Sequence, residues 1–305
     1  VRELSNMTSF RVMPKHVYEG KDTVTDEEAR ITCGPYVLES FNKEAGTITF
    51  VVNEKYPRQP NVEKIVYQLF GNEDTMYLAL QQGDIDMVWA YSTGVAGTYQ
   101  DVLAGDANVS LINVAAANAP AVLAFNNAKG LFTNEDLRQA VSYALDYDAF
   151  KTYFGSAYAE IPNRGFVPAT TVGYKDTEKL TTDVSKADEY MKAAGYTEKN
   201  ADGFYVNTDG QAAAFTLTVN AAKETHVGYA EMIKTQLEAF GIQVNLDTVD
   251  KDAYNAKTSN KFSENNITME AAIYGYTAAG MGMGNGLGSI YVDGNHAVQG
   301  GCQVF

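Results

Sequence analysis

The feature that most constrains this chain is a repeated switch in the spacing of its apolar residues, from a period of two to one near 3.6 and back. Over residues 212–274 the switch runs strand, helix, strand, helix, strand. Residues 215–220 alternate as a strand, and 225–240 place Tyr229, Ile233, Leu237 and Phe240 on one helical face closed by Gly241. Residues 242–246 read as a strand, 251–258 as a short helix and 269–274 as a last strand. Strands that alternate with helices of this length predict an α/β protein with mostly parallel crossover connections.

Upstream, residues 36–41 and 47–52 are short alternating runs around Lys43-Glu44-Ala45-Gly46, which reads as a hairpin. Residues 62–70 form another strand, and 73–82 a helix with Met76, Tyr77 and Leu80 on one face and Gly83 as its stop. Strands are expected at 85–90, 109–114 and 121–125. The next helix opens with Asn134 as N-cap and Glu135-Asp136 in its first turn, with Leu137, Val141, Ala144 and Leu145 at three-four spacing. A Gly- and Pro-containing loop covers 161–173, Asp183 caps a helix that ends at Gly195, and two Asp-Gly pairs flank a short strand within 201–211.

Composition narrows the function. The chain has 305 residues, 45% of them apolar, which gives ample length to bury a core. No run reaches the roughly 20 apolar residues of a membrane-spanning helix. The formal net charge is −15, without the basic footprint that displaces counterions from phosphates, so no nucleic-acid partner is expected. Residues 1–10 show no basic start, apolar core and small-residue cleavage site. Two cysteines, Cys33 and Cys302, are too few for a disulfide framework or a four-thiolate zinc site; one long-range bridge and two buried free thiols both fit.

Catalytic patterns are sparse. His16, His226 and His296 stand in unrelated contexts, and there is no Gly-x-Ser-x-Gly elbow, His-x-x-x-His pair or Cys-x-x-Cys. His226 reads as a surface residue near a helix start. The acidic residues 22–28 lack the central Gly of a Ca²⁺ loop and read as a solvated face. The run Gly280-Met281-Gly282-Met283-Gly284-Asn285-Gly286-Leu287-Gly288 lacks both the dinucleotide-binding spacing and the lysine of a phosphate loop. It reads as a loop that brings backbone and two adaptable Met side chains to a ligand. No resident metal or cofactor is expected.

Several segments, in order, resemble the family 5 extracellular solute-binding proteins of ABC importers, whose members take peptides, opines or nickel. They are Met13-Pro14-Lys15-His16-Val17-Tyr18, Gly34-Pro35-Tyr36-Val37-Leu38, Asn53-Glu54-Lys55-Tyr56, and Ala79-Leu80-Gln81-Gln82-Gly83-Asp84-Ile85-Asp86. Leu123-Ala124-Phe125-Asn126-Asn127 resembles the family's first crossover strand, and residues 136–146 the helix after it. Gly165-Phe166-Val167-Pro168 and residues 186–196 fit as well.

The resemblance implies a two-lobed, type II periplasmic-binding-protein-like fold, truncated at both ends. Residues 1–117 would be a partial lobe I, 118–274 lobe II, and 275–305 a return segment into lobe I. Residues 121–125 and 269–274 would be the two interlobe connections. It further implies a non-enzymatic trap for a peptide-like or other small solute, monomeric and outside the cytoplasm. The full-length protein would be membrane-anchored, with a signal segment outside this sequence, and would deliver its ligand to an ABC permease. An extracellular hydrolase and a receptor's sensory domain are the competing functions.

Candidate ligand contacts are Trp89 and Tyr91 at a strand end, Asn126 at the first crossover, and Tyr276, Met281, Met283 and Asn285 after the second. Peptide-binding relatives follow the second crossover with Gly-Trp and then an Asp that holds the ligand's amino group. Here Gly275-Tyr276 keeps an aromatic, but Thr277-Ala278-Ala279-Gly280 has no acid, which points to a more apolar ligand or one held through backbone groups. Export and shared lobe I membership together imply a Cys33–Cys302 disulfide. Arg138, on the helix after the first crossover, is expected to be structural.

Overall fold

The computed structural model describes residues 13–88, 95, 97–112, 118–155, 158–164, 175–258 and 267–277. They fall into two compact units divided between Val88 and Trp89.

The first unit opens with two short helices, α1 (Lys15–Tyr18) and α2 (Asp26–Ala29). Thr25 and Glu28 close a reciprocal capping box on α2. Strands β1 (Tyr36–Asn42), β2 (Thr47–Val52) and β3 (Lys64–Gln68) then pair antiparallel in the order β1-β2-β3. Gly46 takes the left-handed conformation the hairpin requires, with φ 64°.

The register lines up Leu38, Phe50 and Ile65 across the three strands, and beside them Phe41, Ile48 and Tyr67. Phe50 and Tyr67 meet edge to face at 6.0 Å, as same-face neighbours should. Helix α3 (Glu73–Gln82) follows, its N-terminus capped by Asn72 accepting from the Thr75 amide at 2.9 Å and its C-terminus stopped by left-handed Gly83. Beyond it, residues 85–88, expected as a strand, pair with no strand among the described residues. An apolar run satisfies the strand pattern, but only a neighbour can satisfy its backbone donors and acceptors.

The second unit begins with α4 (Gly97–Ala104), and residues 109–112, also expected in a strand, carry no regular structure, with Ile112 exposed. Strand β4 (Asn118–Phe125) leads through a 3₁₀ turn (Gly130–Thr133) into α5 (Glu135–Ala144), α6 (Tyr147–Gly155) and α7 (Val184–Ala193). The small hairpin β5 (Glu198–Lys199) and β6 (Tyr205–Val206) follows. Then come β7 (Ala214–Asn220), α8 (Glu224–Phe240), β8 (Gln243–Val249), α9 (Lys251–Thr258) and β9 (Ala271–Thr277). The two Asp-Gly pairs do turn the chain, with Gly203 at φ 87° and Gly210 at φ 76°.

One four-stranded sheet organises this unit, in the order β4-β9-β7-β8. Strand β7 runs parallel to both β8 and β9, while β4 runs antiparallel to β9, so the expected parallel connections hold for β7, β8 and β9 and the sheet is mixed. Side-chain alternation then sorts two cores. Phe215, Leu217 and Val219 of β7 join Ala271 and Ile273 of β9 against Val141 of α5 and Ile233 and Leu237 of α8. Ala124 and Ala272 face the other way and pack with Tyr254 of α9 and Met269. The Tyr254 hydroxyl donates to the Ile273 carbonyl at 2.7 Å, fastening α9 to the sheet.

Glu270, just ahead of β9, packs against the 3₁₀ turn. Its carboxylate accepts from the Thr216 amide of β7 at 2.8 Å and lies where a side chain at Gly130 would be. Gly130 also sits at φ +65°, a conformation costly for any other residue. Gly130→Ala is therefore expected to destabilise the second unit by about 2–4 kcal/mol in urea unfolding. In a Glu270→Ala background the further cost of Gly130→Ala should fall to the left-handed penalty, about 1–2 kcal/mol. Simple additivity of the two changes would contradict this clasp.

Candidate functional site

The candidate site starts from strands β4 and β9, paired within the second unit. Strands β4 and β9 pair with Asn118 opposite Thr277, Ala119 opposite Tyr276, and Phe125 opposite Ala271, with a register shift between Ala119 and Val122. Antiparallel pairing brings residue 118, where β4 begins, beside residue 277, where β9 ends. Whatever the chain builds before β4 and after β9 therefore leaves the sheet from one edge of one ladder. Tyr276 stands in this terminal stretch, across from Ala119.

Asn126 lies at the other end of the same ladder. Along the strand it is roughly 20 Å from Ala119 at about 3.3 Å per residue, so β4 does not bring Asn126 and Tyr276 together. The Asn126 amide group is committed to backbone: Nδ2 donates to the Met269 carbonyl at 2.9 Å, and Oδ1 accepts from the Ala128 amide at 3.0 Å. Its own backbone N–H donates to Glu270 O at 2.8 Å. In this position Asn126 staples the exit of β4 to the entry of β9 with one side-chain donor and one acceptor site, and its amide keeps a second N–H and a second lone pair.

Trp89, Tyr91, Met281, Met283 and Asn285 lie outside the described residues, as does Cys302. Cys33 is exposed, just ahead of β1. Arg138 donates Nη1 to the Phe132 carbonyl at 2.7 Å, which ties α5 back to the 3₁₀ turn before it. That is the structural contact expected of it. His226 corrects the surface reading: it is only 2% exposed, on the stripe of α8 that also buries Tyr229, Ala230, Ile233, Leu237 and Phe240. The signal was in the sequence, since position 226 continues the three-four spacing of the later apolar residues toward the helix start.

The ionisable groups of the second unit serve packing. Burial pushes the phenols of Tyr147, Tyr196, Tyr205 and Tyr229 up. The Lys192 ammonium, with the Tyr205 hydroxyl, holds the Asp188 carboxyl below its ordinary range. An open groove between α6 and α8, about 410 Å³ in volume, is lined by Tyr153, Gly228, Glu231, Met232, Thr235 and Gln236. Among the described residues no group of His, Cys, Asp and Glu could hold a metal ion, and no helix is long and apolar enough to cross a membrane.

The comparisons with known proteins follow the same order of elements. The profile of the bacterial extracellular solute-binding proteins, family 5 middle, matches residues 3–295. Heme-binding protein A of Haemophilus influenzae is 24% identical over 262 residues, covering 85% of this chain and 43% of that protein. The nickel-binding periplasmic protein of Escherichia coli is 22% identical over 247 residues, covering 81% of this chain and 47% of that protein. The chain thus spans less than half the length of these curated relatives. Among solved structures, NikA from Brucella suis in complex with Fe(III)-EDTA superposes with a TM-score of 0.71 at 19% identity, covering 84% of this chain and 50% of that one. The oligopeptide-binding protein AppA from Bacillus subtilis, in complex with a nonapeptide, gives 0.65 at 22% identity, covering 87% of this chain and 52% of that one. The fold is the α/β periplasmic-binding-protein class that the sequence implied. With a profile match over nearly its whole length, the chain belongs to the family 5 bacterial extracellular solute-binding proteins.

Proposed function

We propose that this chain is the ligand-capturing part of a solute-binding protein that serves an ABC importer, and that it traps its ligand without chemical change. The observation that carries the reading is the profile match over residues 3–295. The β4–β9 ladder is in keeping with it, because two connections leaving one sheet side by side are what a hinge between lobes needs. Residues 1–117 and the return segment 275–305 would form one lobe and 118–274 the other. Trp89, Tyr91, Asn126, Tyr276, Met281, Met283 and Asn285 would face the ligand, and a Cys33–Cys302 disulfide would tie the return segment to the hairpin region. The protein would act as a monomer outside the cytoplasm, anchored near the permease that receives the ligand.

The relatives are named for heme, nickel and peptides, so the family alone does not choose a ligand. The missing acid after Tyr276 argues for a solute that lacks a free α-amine or buries it elsewhere. Aromatic and Met side chains fit a ligand with substantial apolar surface.

A panel of heme, nickel–histidine and N-acetylated and free oligopeptides, screened by thermal shift against the full-length protein, selects a probe. That probe is expected to reduce the radius of gyration in X-ray scattering and to be recovered intact. Tyr276→Ala should weaken its binding by about 1–3 kcal/mol in calorimetry. Unchanged dimensions at saturation, or turnover of the probe, would contradict the trap.

A further inference from the structure

Among the described residues the four-stranded sheet ends on two outer strands, β4 and β8, and they are guarded differently. Strand β4 carries Pro120, which has no N–H to offer, and its register shifts between Ala119 and Val122. Both features spoil an edge as a template for another strand. Strand β8 has neither. Its seven residues pair with β7 without a break, from Gln243 opposite Ala214 to Val249 opposite Asn220. Asp247 is its single charged residue, and the Lys257 ammonium neutralises that charge at 2.5 Å. By its own sequence β8 is a straight, nearly uncharged edge.

Register fixes which backbone groups that edge presents. In a parallel ladder alternate residues of a strand bond to the same neighbour. The Gln243 N–H donates to the Ala213 carbonyl at 2.9 Å, and the Val249 carbonyl accepts from the Ala221 N–H at 2.8 Å. Positions 243, 245, 247 and 249 therefore serve β7, and the N–H and C=O of Val244, Leu246 and Thr248 point away from it. At Val244 both are taken by side chains. Lys234 Nζ donates to the Val244 carbonyl at 2.7 Å, and the Val244 N–H donates to Glu238 Oε1 at 3.4 Å.

Lys234 and Glu238 sit one turn apart on α8 and are ion-paired with each other. Stabilising the helix does not account for the pair, because Lys four residues ahead of Glu is the poorer order against the helix dipole. It is also the least exposed of the three i,i+4 ion pairs among the described residues, with side chains 38% and 30% exposed. A cation on the carbonyl and an anion on the N–H supply what a neighbouring strand would supply at that residue. Val244 joins no further ladder until both side chains withdraw.

We propose that Lys234 and Glu238 guard the β8 edge: by occupying the outward N–H and C=O of Val244, they keep β8 from pairing with β8 of a second copy of the chain. Two identical edges meet antiparallel about a twofold axis, so a second copy is the partner that an open β8 edge fits. The guard does not depend on the trap reading, since it involves neither β4, β9 nor any candidate ligand contact.

The test compares the full-length protein with its Lys234→Ala/Glu238→Ala variant, which keeps the net charge and the helix propensity of α8. Sedimentation velocity over a concentration series reads self-association, and amide hydrogen exchange reads the β8 edge. The variant should self-associate at least about tenfold more tightly than the wild type, the effect of one or two backbone hydrogen bonds regained at each dimer contact. Its Leu246 and Thr248 amides should exchange more slowly as concentration rises. Adding Thr248→Pro removes an outward N–H without touching the β7 ladder and should return association to the wild-type level. Circular dichroism melts check that each variant is folded, and if the double variant does not fold, Lys234→Ala alone carries the same two readouts. A folded variant that associates no more than the wild type, or one that associates while its Leu246 and Thr248 amides stay unprotected, would overturn the assignment.

Discussion

Everything in the second unit hangs on the antiparallel pairing of β4 with β9. Strand β9 is an inner strand with β4 on one side and β7 on the other, so its backbone donors and acceptors are met from both directions. Its side chains divide between both cores, Ala271 and Ile273 to one and Ala272 to the other. Small residues at these positions let helices approach the sheet from either face. The ladder is then sealed at one end by Asn126, which bonds Met269, and by Glu270, which bonds Thr216. The other end, Asn118 with Thr277, is where β4 begins and β9 ends.

The two units differ in how their apolar surface is used. Phe132, Phe215, Leu103, Met191, Leu217 and Leu237 are the largest of the nearly inaccessible side chains among the described residues, and all belong to the second unit. In the first unit the fully buried apolar residues among those described are Val17, Tyr77 and Ala79. Its sheet gathers Leu38, Phe41, Ile48, Phe50, Ile65 and Tyr67 on one face, yet Phe41 is 60% and Tyr67 53% exposed. A twisted three-stranded sheet gains most of its stability by packing such a face. The second unit is thus the self-sufficient part by its own contacts.

Local chemistry was legible in the sequence, and partnership was not. Asn134 and Asp183 each cap the helix their position announced, and left-handed Gly83 ends α3. The alternation of β7 and the stripe of α8 forecast both elements, and the same stripe should have drawn His226 into the core. Residues 85–88 and 109–112 have the apolar content of strands but no neighbour among the described residues, and a strand exists only by its neighbour. Helix α6 follows closely on α5, and its start signal is the single Asp146, which accepts from the Ala149 amide at 3.0 Å. Of the candidate site, strands β4 and β9 were legible, as the strands expected at 121–125 and 269–274. The employment of Asn126 was not, because its partners Met269 and Glu270 are far away in sequence and only the ladder brings them near.

Native-state hydrogen exchange on the β4 and β9 amides tests the central claim most directly. If the ladder is the framework on which both cores depend, the amides that bond across it at the Val122–Tyr274 and Ala124–Ala272 pairs should exchange only by opening the whole second unit. Their opening free energy should then equal that of the β7 amides. Markedly faster exchange in β4 and β9, while β7 and β8 stay protected, would show that the crossover pair is an appendage to the fold and contradict the account.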